Sequence, residues 1–246
     1  MDLYARLLDT ATCLVALTSL WVRRNSWRYP WEIAKNFGLA QITLGAILKT
    51  LPVAWIINHN TLPGLNLLIS HFFILTGIGA IVYSAEHKLR SDATMRSWYL
   101  KRLVLPRMTG YAVMVAMYIV GGWHSLKDFQ QPSGYAVTYW IVYDVLIIYL
   151  LLVGVAALGH LFYDEPSRRM AGIYLIAVGI NIAGAICRII SAIEYQTLLM
   201  VITLTANALA LMIFSAGGAY QWRTRLNEIN KRRGEFPGQD VSNITQ

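Results

Sequence analysis

Tyr139-Trp140-Ile141-Val142-Tyr143-Asp144-Val145-Leu146 lies inside an uninterrupted apolar run that begins at Tyr135 and ends at Phe162. A second run, Met170–Ile193, contains Ala185-Ile186-Cys187-Arg188-Ile189-Ile190. Each run is long enough to cross a bilayer as a helix, since about 20 apolar residues suffice. Each carries one full charge deep within it. Counted by helical rise from Tyr135 and Tyr195, Asp144 lies about 14 Å and Arg188 about 10 Å below one surface. A charge at such depth costs at least ~2.5–3.5 kcal/mol, so it requires a partner or a wet cavity. The turn Asp164–Arg169 between the runs is too short to let the two helices separate. Asp144 and Arg188 are therefore expected to meet.

The rest of the 246 residues agrees with a membrane setting. The chain is 56% apolar and only 14% charged, against about 25% charged in soluble domains. Seven apolar segments can be marked: Leu3–Val22, Trp31–Ile57, Leu65–Ser84, Met108–Trp123, Tyr135–Phe162, Met170–Ile193 and Leu198–Tyr220. The expected fold is all-α, a polytopic bundle of seven transmembrane helices over residues 1–220, followed by a basic tail, 221–246, whose end is polar and disordered. The second segment starts amphipathically, with Glu32, Lys35 and Asn36, and Pro52 is expected to bend it. The fourth is short enough to need extension at one of its ends.

Charge alternates between the connections. Arg23, Arg24 and Arg28 follow the first segment; Lys88, Arg90, Arg96, Lys101, Arg102 and Arg107 follow the third. Arg168 and Arg169 follow the fifth, and Arg223, Arg225, Lys231, Arg232 and Arg233 follow the seventh. These account for 16 of the 21 Lys and Arg residues, whereas the intervening connections hold only Lys127. The positive-inside rule then sets the N-terminus outside and the C-terminus in the cytoplasm of a bacterial inner (plasma) membrane. The net charge of +8 is thereby a topology signal, not a mark of nucleic-acid binding. The mixed loop Glu86–Arg107, with Leu89, Met95, Trp98, Tyr99 and Leu100, suits either an interfacial helix on anionic lipids or a solvated basic loop.

Other ionisable groups reach the same outer half. Asp9 lies about 9 Å in from Leu3, His71 about 9 Å in from Leu65, and Lys49 about 13 Å in from Asn58. Glu194 ends the sixth segment. That segment divides into two faces: Leu175, Val178, Ile182, Ile186, Ile189 and Ile193 form an apolar stripe, and Ala177, Asn181, Gly184, Arg188, Ser191 and Tyr195 form a small, polar one. The candidate site is thus Asp144, Arg188, His71, Asp9, Lys49, Glu194 and Asn181. It reads either as an ion-pair network that orients helices or as an outward-facing cavity for a small polar or anionic ligand.

Catalytic signatures are missing from the sequence. His59, His71, His87, His124 and His160 never recur at i, i+4 spacing, no His-Glu-x-x-His occurs, and no Gly-x-Ser-x-Gly elbow or phosphate-cradling loop is found. No metal, cofactor or enzymatic activity is expected. Cys13 and Cys187 both sit in apolar runs, which disfavours a disulfide.

Thr61-Leu62-Pro63-Gly64-Leu65-Asn66-Leu67-Leu68-Ile69-Ser70-His71 resembles the second-to-third-helix connection of a family of actinobacterial seven-helix membrane proteins described as transporters. An amphipathic stretch before the second helix, a His in the third, a long basic inner loop and the Arg168-Arg169 start to the sixth helix are similar too. The resemblance implies a transport function and assigns the later basic residue of the sixth helix to Arg188. Members of that family carry a soluble C-terminal domain, which has no counterpart in the 246 residues. Two functions are therefore expected: a transporter-like or ligand-sensing module, or a non-enzymatic structural or partner-binding protein. The second class includes phage- or prophage-type exclusion factors and pairs the chain with itself or another membrane subunit.

Overall fold

The computed structural model describes residues 2–62, 64–121, 134–165, 167–194 and 196–235. The outer loop expected to carry His124 and Lys127, Tyr195 of the small-polar face and the tail beyond Glu235 lie outside the described residues. All regular structure among the described residues is helical: α1 (Asp2–Val22), α2 (Pro30–Lys49), α3 (Leu51–Asn60), α4 (Leu65–Glu86), α5 (Asp92–Tyr99), α6 (Leu105–Val120), α7 (Tyr135–Tyr163), α8 (Arg168–Ile193) and α9 (Thr197–Glu235). Five helical spans are long and apolar enough to cross a membrane, and a sixth is obtained if α2 and α3 count as one broken span. The apolar part of α1, Leu7–Val22, is shorter. The protein is a helical membrane-spanning protein.

The expected bend in the second segment is a break. Thr50 is extended (φ −63°, ψ 146°), and its backbone N–H donates to Ile47 O while Pro52 occupies the first turn of α3. Proline has no N–H to give the preceding turn, so α2 ends and α3 leaves at 72°.

From Asp92 the chain is helical through to Val120, so most of the presumed loop Glu86–Arg107 is an extension of the fourth span. Leu100–Val104 within it is π-helical. Pro106 cannot serve the carbonyl of Arg102 in α-helical register, and the Tyr149 hydroxyl donates to that oxygen instead, at 3.0 Å. Arg107 is buried in this helix, its Nε donating to Leu103 O at 2.9 Å.

α9 also outruns its expected end at Tyr220. No Gly or Pro interrupts Gln221–Arg233, and Trp222 and Ile229 are both buried. The ring centroid of Trp222 lies 5.5 Å from that of Tyr29. The first part of the tail therefore belongs to the bundle.

On α8 the small face is packed as expected, with Ala177, Gly184 and Ser191 all buried. The lipid-facing stripe is rotated from the expected one: Ile176, Gly179, Ala183, Ile186, Ile190 and Ile193 are exposed, while Val178 and Ile182 pack on the core. Asn181 and Arg188 draw their own neighbours inward, which turns the helix by about one residue.

The core lies between α4 and α7, around Leu75, Tyr139, Tyr143 and Leu150. α2 closes on α4 through paired glycines. A Cβ on Gly77 would stand 2.6 Å from Gly38 O, and one on Gly38 would stand 2.7 Å from Gly77 O. Ser70 adds a hydrogen bond from its hydroxyl to Gly45 O at 2.7 Å. Backbone on both sides of this crossing leaves nothing that can give way. Gly77→Val should lower thermal stability by about 1–3 kcal/mol, as overpacking does, whereas Gly179→Ala, on an open face, should leave the melting curve in place.

Candidate functional site

Asp144 is 0% exposed on α7, and Arg188 of α8 reaches it with Nε 3.1 Å from Oδ2. The approach is ionic without the alignment of a hydrogen bond, and neither Asp144 oxygen has a hydrogen-bond donor among the described residues. The guanidinium lies over two aromatic rings of α7, its carbon 4.9 Å from the Trp140 centroid and 5.4 Å from that of Tyr143. Cation–π contacts of this kind are worth about 2 kcal/mol when desolvated. Tyr143 in turn stacks on His71 at 3.9 Å, and His71 Nδ1 shares a 2.7 Å hydrogen bond with the Tyr139 hydroxyl. His71 is wholly buried and its Nε2 has no partner among the described residues. The layers run from His71 through Tyr143 to Arg188.

Arg188 keeps 12% of its side chain exposed. The exposed part faces a cavity of about 880 Å³, toward the upper end of the 300–1,000 Å³ typical of ligand sites. Asp9, Lys49 and Asn181 also line it, with Thr12 and Asn66. Thr12 Oγ1, Asn66 Oδ1 and Asn181 Oδ1 are buried oxygens without a hydrogen-bond partner among the described residues. Thr12 is 6% and Asn66 2% exposed. Buried polar atoms are normally satisfied, so the cavity wall offers oxygens to whatever enters. Asn66 is fixed by its Nδ2 donating to Leu48 O at 3.2 Å, a carbonyl in the last turn of α2. Lys49, the last residue of α2, sits at the break.

The structure thus brings together six of the seven expected site residues, in two ranks. Arg188, Asn181, Asp9 and Lys49 border the cavity, while Asp144 and His71 stand behind it. Glu194 is the correction. It caps the C-terminal end of α8, exposed, and does not line the cavity. Six residues past Arg188, about 1.7 turns, it lies off the face that Arg188 occupies.

Two groups of residues escaped the sequence reading. The first is the aromatic set Tyr139, Trp140 and Tyr143, whose i, i+4 tyrosines beside Asp144 were the available signal. The second lies at the other end of the bundle, around Arg23. Its Nε donates to Asn36 Oδ1 (2.9 Å), its Nη1 to Gly218 O (2.9 Å) and its Nη2 to Glu32 Oε2 (2.8 Å). Asn36 donates to Ser26 Oγ at 2.7 Å. Glu32 also accepts from Lys35 at 3.2 Å and from Arg225 at 3.0 Å. α1, α2 and α9 are joined by this one carboxylate and one guanidinium. Charged residues so far apart in sequence looked like loop and helix-start residues, and nothing local announced their meeting.

Among the described residues, no group of three or more His, Cys, Asp or Glu could hold a metal ion. No protein-family model, curated protein or solved structure matches the chain.

Removing one member of the central pair strands the other in low dielectric, a loss of about 3–5 kcal/mol. Asp144→Asn and Arg188→Gln should each lower folded yield, and the double variant should regain about 0.5–3 kcal/mol relative to additivity. Thermal unfolding in detergent measures this cycle, and additive losses would show that the two charges are independent. Glu32→Gln should destabilise by a similar amount, because it leaves Arg23 buried without its counter-charge.

Proposed function

We propose that the chain crosses a bacterial inner membrane seven times, N-terminus outside and C-terminus in the cytoplasm. In this reading α1 and the broken α2–α3 pair supply the first two spans. Its function is that of a transporter-like or ligand-sensing module, and its site is the cavity face of Arg188 in the outer half of the bundle. The ligand is a small polar or anionic molecule. The observation that carries the proposal is the cavity of about 880 Å³ onto which Arg188 opens, with unpaired oxygens in its wall. A charge pair serving helix packing alone would be sealed on all sides.

The chemistry follows from the layers. Asp144 neutralises Arg188 and fixes it through Nε, which leaves the remaining guanidinium edge to meet an anion or a carbonyl. Thr12, Asn66 and Asn181 accept hydrogen bonds from hydroxyl or amino groups of the same ligand. The break at Thr50 supports a transport role, because discontinuous helices mark the binding sites of many transporters. Lys49 stands at that break and on the cavity.

A second reading, a non-enzymatic partner-binding membrane protein, is favoured by Gly179 and Ala183. They lie four residues apart and exposed on α8, the small-residue spacing that lets another helix approach closely.

Two measurements test the proposal. Cysteine labelling in intact cells should mark the His124–Gly134 loop from outside and the Lys88–Arg90 turn only after permeabilisation; both on one side would remove the seven-span scheme. In purified protein, Asn181→Leu should weaken ligand binding about tenfold, the loss of one buried hydrogen bond, with an unchanged melting temperature. Retention of full affinity would place the ligand elsewhere.

A further inference from the structure

The cavity does not stop at Arg188. Along α2 its lining runs from Lys49 back to Lys35, a distance of about 21 Å by helical rise. Spread over that length, about 880 Å³ makes an elongated corridor, a shape that extended alkyl chains, whose carbons pack about 4 Å apart, can fill. The middle of the cavity is apolar, bordered by Ile78, Val82, Leu151, Leu158, Leu211 and Phe214. Water or an inorganic ion would be poorly accommodated there.

The far end is polar again and carries an excess of positive charge. Lys35 and Lys88 line it, with Arg23 and Arg225 behind them on Glu32. The acidic groups that face this cluster are Glu32, which Arg23, Lys35 and Arg225 already share, and Asp164, which acts on Lys88. Four cations thus meet two carboxylates. Lys88 lies outside the spanning segment and keeps its side chain exposed. Ser167, at the N-terminus of α8, also borders this end, and a helix N-terminus adds partial positive charge. By contrast, at the Arg188 end the charges balance, Asp9 and Asp144 against Lys49 and Arg188.

We propose that the Lys35–Lys88 end of the cavity is a binding site for an anionic phospholipid. Its phosphate lies between the two lysines, and an acyl chain runs along the apolar middle toward Arg188. The phosphate site lies at the opposite end of the same cavity from Arg188, and its charge recognition does not use Arg188. The seated chain fills space that the bundle leaves open, and the phosphate relieves the repulsion among Lys35, Lys88 and Arg225.

The test is thermal unfolding of the full chain, delipidated in detergent and titrated with dioleoyl-phosphatidylglycerol. Bound lipid should raise the melting temperature by several degrees in a saturable manner. Dioleoyl-phosphatidylcholine at the same concentrations should not, and neither should inorganic phosphate or dihexanoyl-phosphatidylglycerol. Lys88→Gln should weaken the phosphatidylglycerol response about tenfold, as loss of one charge-assisted contact does, and Lys88→Arg should preserve it. Stabilisation by phosphatidylcholine equal to that by phosphatidylglycerol would overturn the charge recognition. An equal response to inorganic phosphate or the short-chain lipid would overturn the acyl-chain corridor and leave a free-anion site. A full response in Lys88→Gln would move the lipid to the outer surface of the bundle.

Discussion

A carboxylate with no exposed surface on a membrane-spanning helix sets the terms for the helices around it. Asp144 has to be met by a cation, and Arg188 reaches it from α8. That requirement fixes α8 both in height and in rotation. With Arg188 turned inward, Gly184 and Ser191 follow onto the same face, and Gly184 lets α9 approach so closely that a Cβ there would stand 2.8 Å from the Ala206 Cβ. The aromatic rings beneath the guanidinium complete the arrangement by giving the spread charge a polarisable floor. His71, stacked beneath Tyr143, ties α4 into the same layer through Tyr139. One desolvated charge therefore positions α4, α7, α8 and, through a glycine, α9.

At the opposite end Arg23 plays a comparable part with a different economy of contacts. Its three nitrogens reach two elements, α2 and α9, and the carboxylate of Glu32 collects three cations. This joint is richer in hydrogen bonds than the Asp144 pair. It acts as the fixed end of the molecule, since Arg23, Ser26, Glu32 and Asn36 are all nearly inaccessible. The Asp144 end is under-satisfied and opens on a cavity. An ion pair kept short of hydrogen-bond donors can accept a further group without first breaking existing bonds, and the proposed ligand site rests on that property.

What the sequence revealed and what it concealed follow from the range of the interactions involved. Apolar runs of bilayer length are local, so the five longest spans could be read directly, and Pro52 marked the break because proline acts within one turn. Asp144 and Arg188 could be paired because their helices are consecutive and the turn is short. The Arg23 joint could not: Arg23, Glu32, Gly218 and Arg225 lie in three elements, and no periodicity links them. The continuation of α9 past Tyr220 was concealed for another reason. Its residues turn polar where the helix leaves the apolar region, and composition alone cannot separate a solvated helix from a tail. The lipid face of α8 was misplaced by about one residue because Ile182 and Ile186 are chemically alike, and only the neighbours decide which of them is covered.

These constraints also locate where the molecule can yield. α2 is held at its start by the Arg23 joint and along its length by the Gly38–Gly77 crossing, both of which involve backbone or buried charge. Beyond Thr50 nothing comparable acts among the described residues. Trp55 and Ile56 of α3 are 65% and 54% exposed, and α3 is tied to the turn that follows it by the Gly64 N–H, which donates to Asn58 Oδ1 at 3.1 Å. Rotation about the extended backbone at Thr50 would move α3 without disturbing the core between α4 and α7. Lys49 sits at this pivot and on the cavity wall. Movement at the break would therefore change the cavity wall at Lys49 and Ala54, and the packed spans need not move.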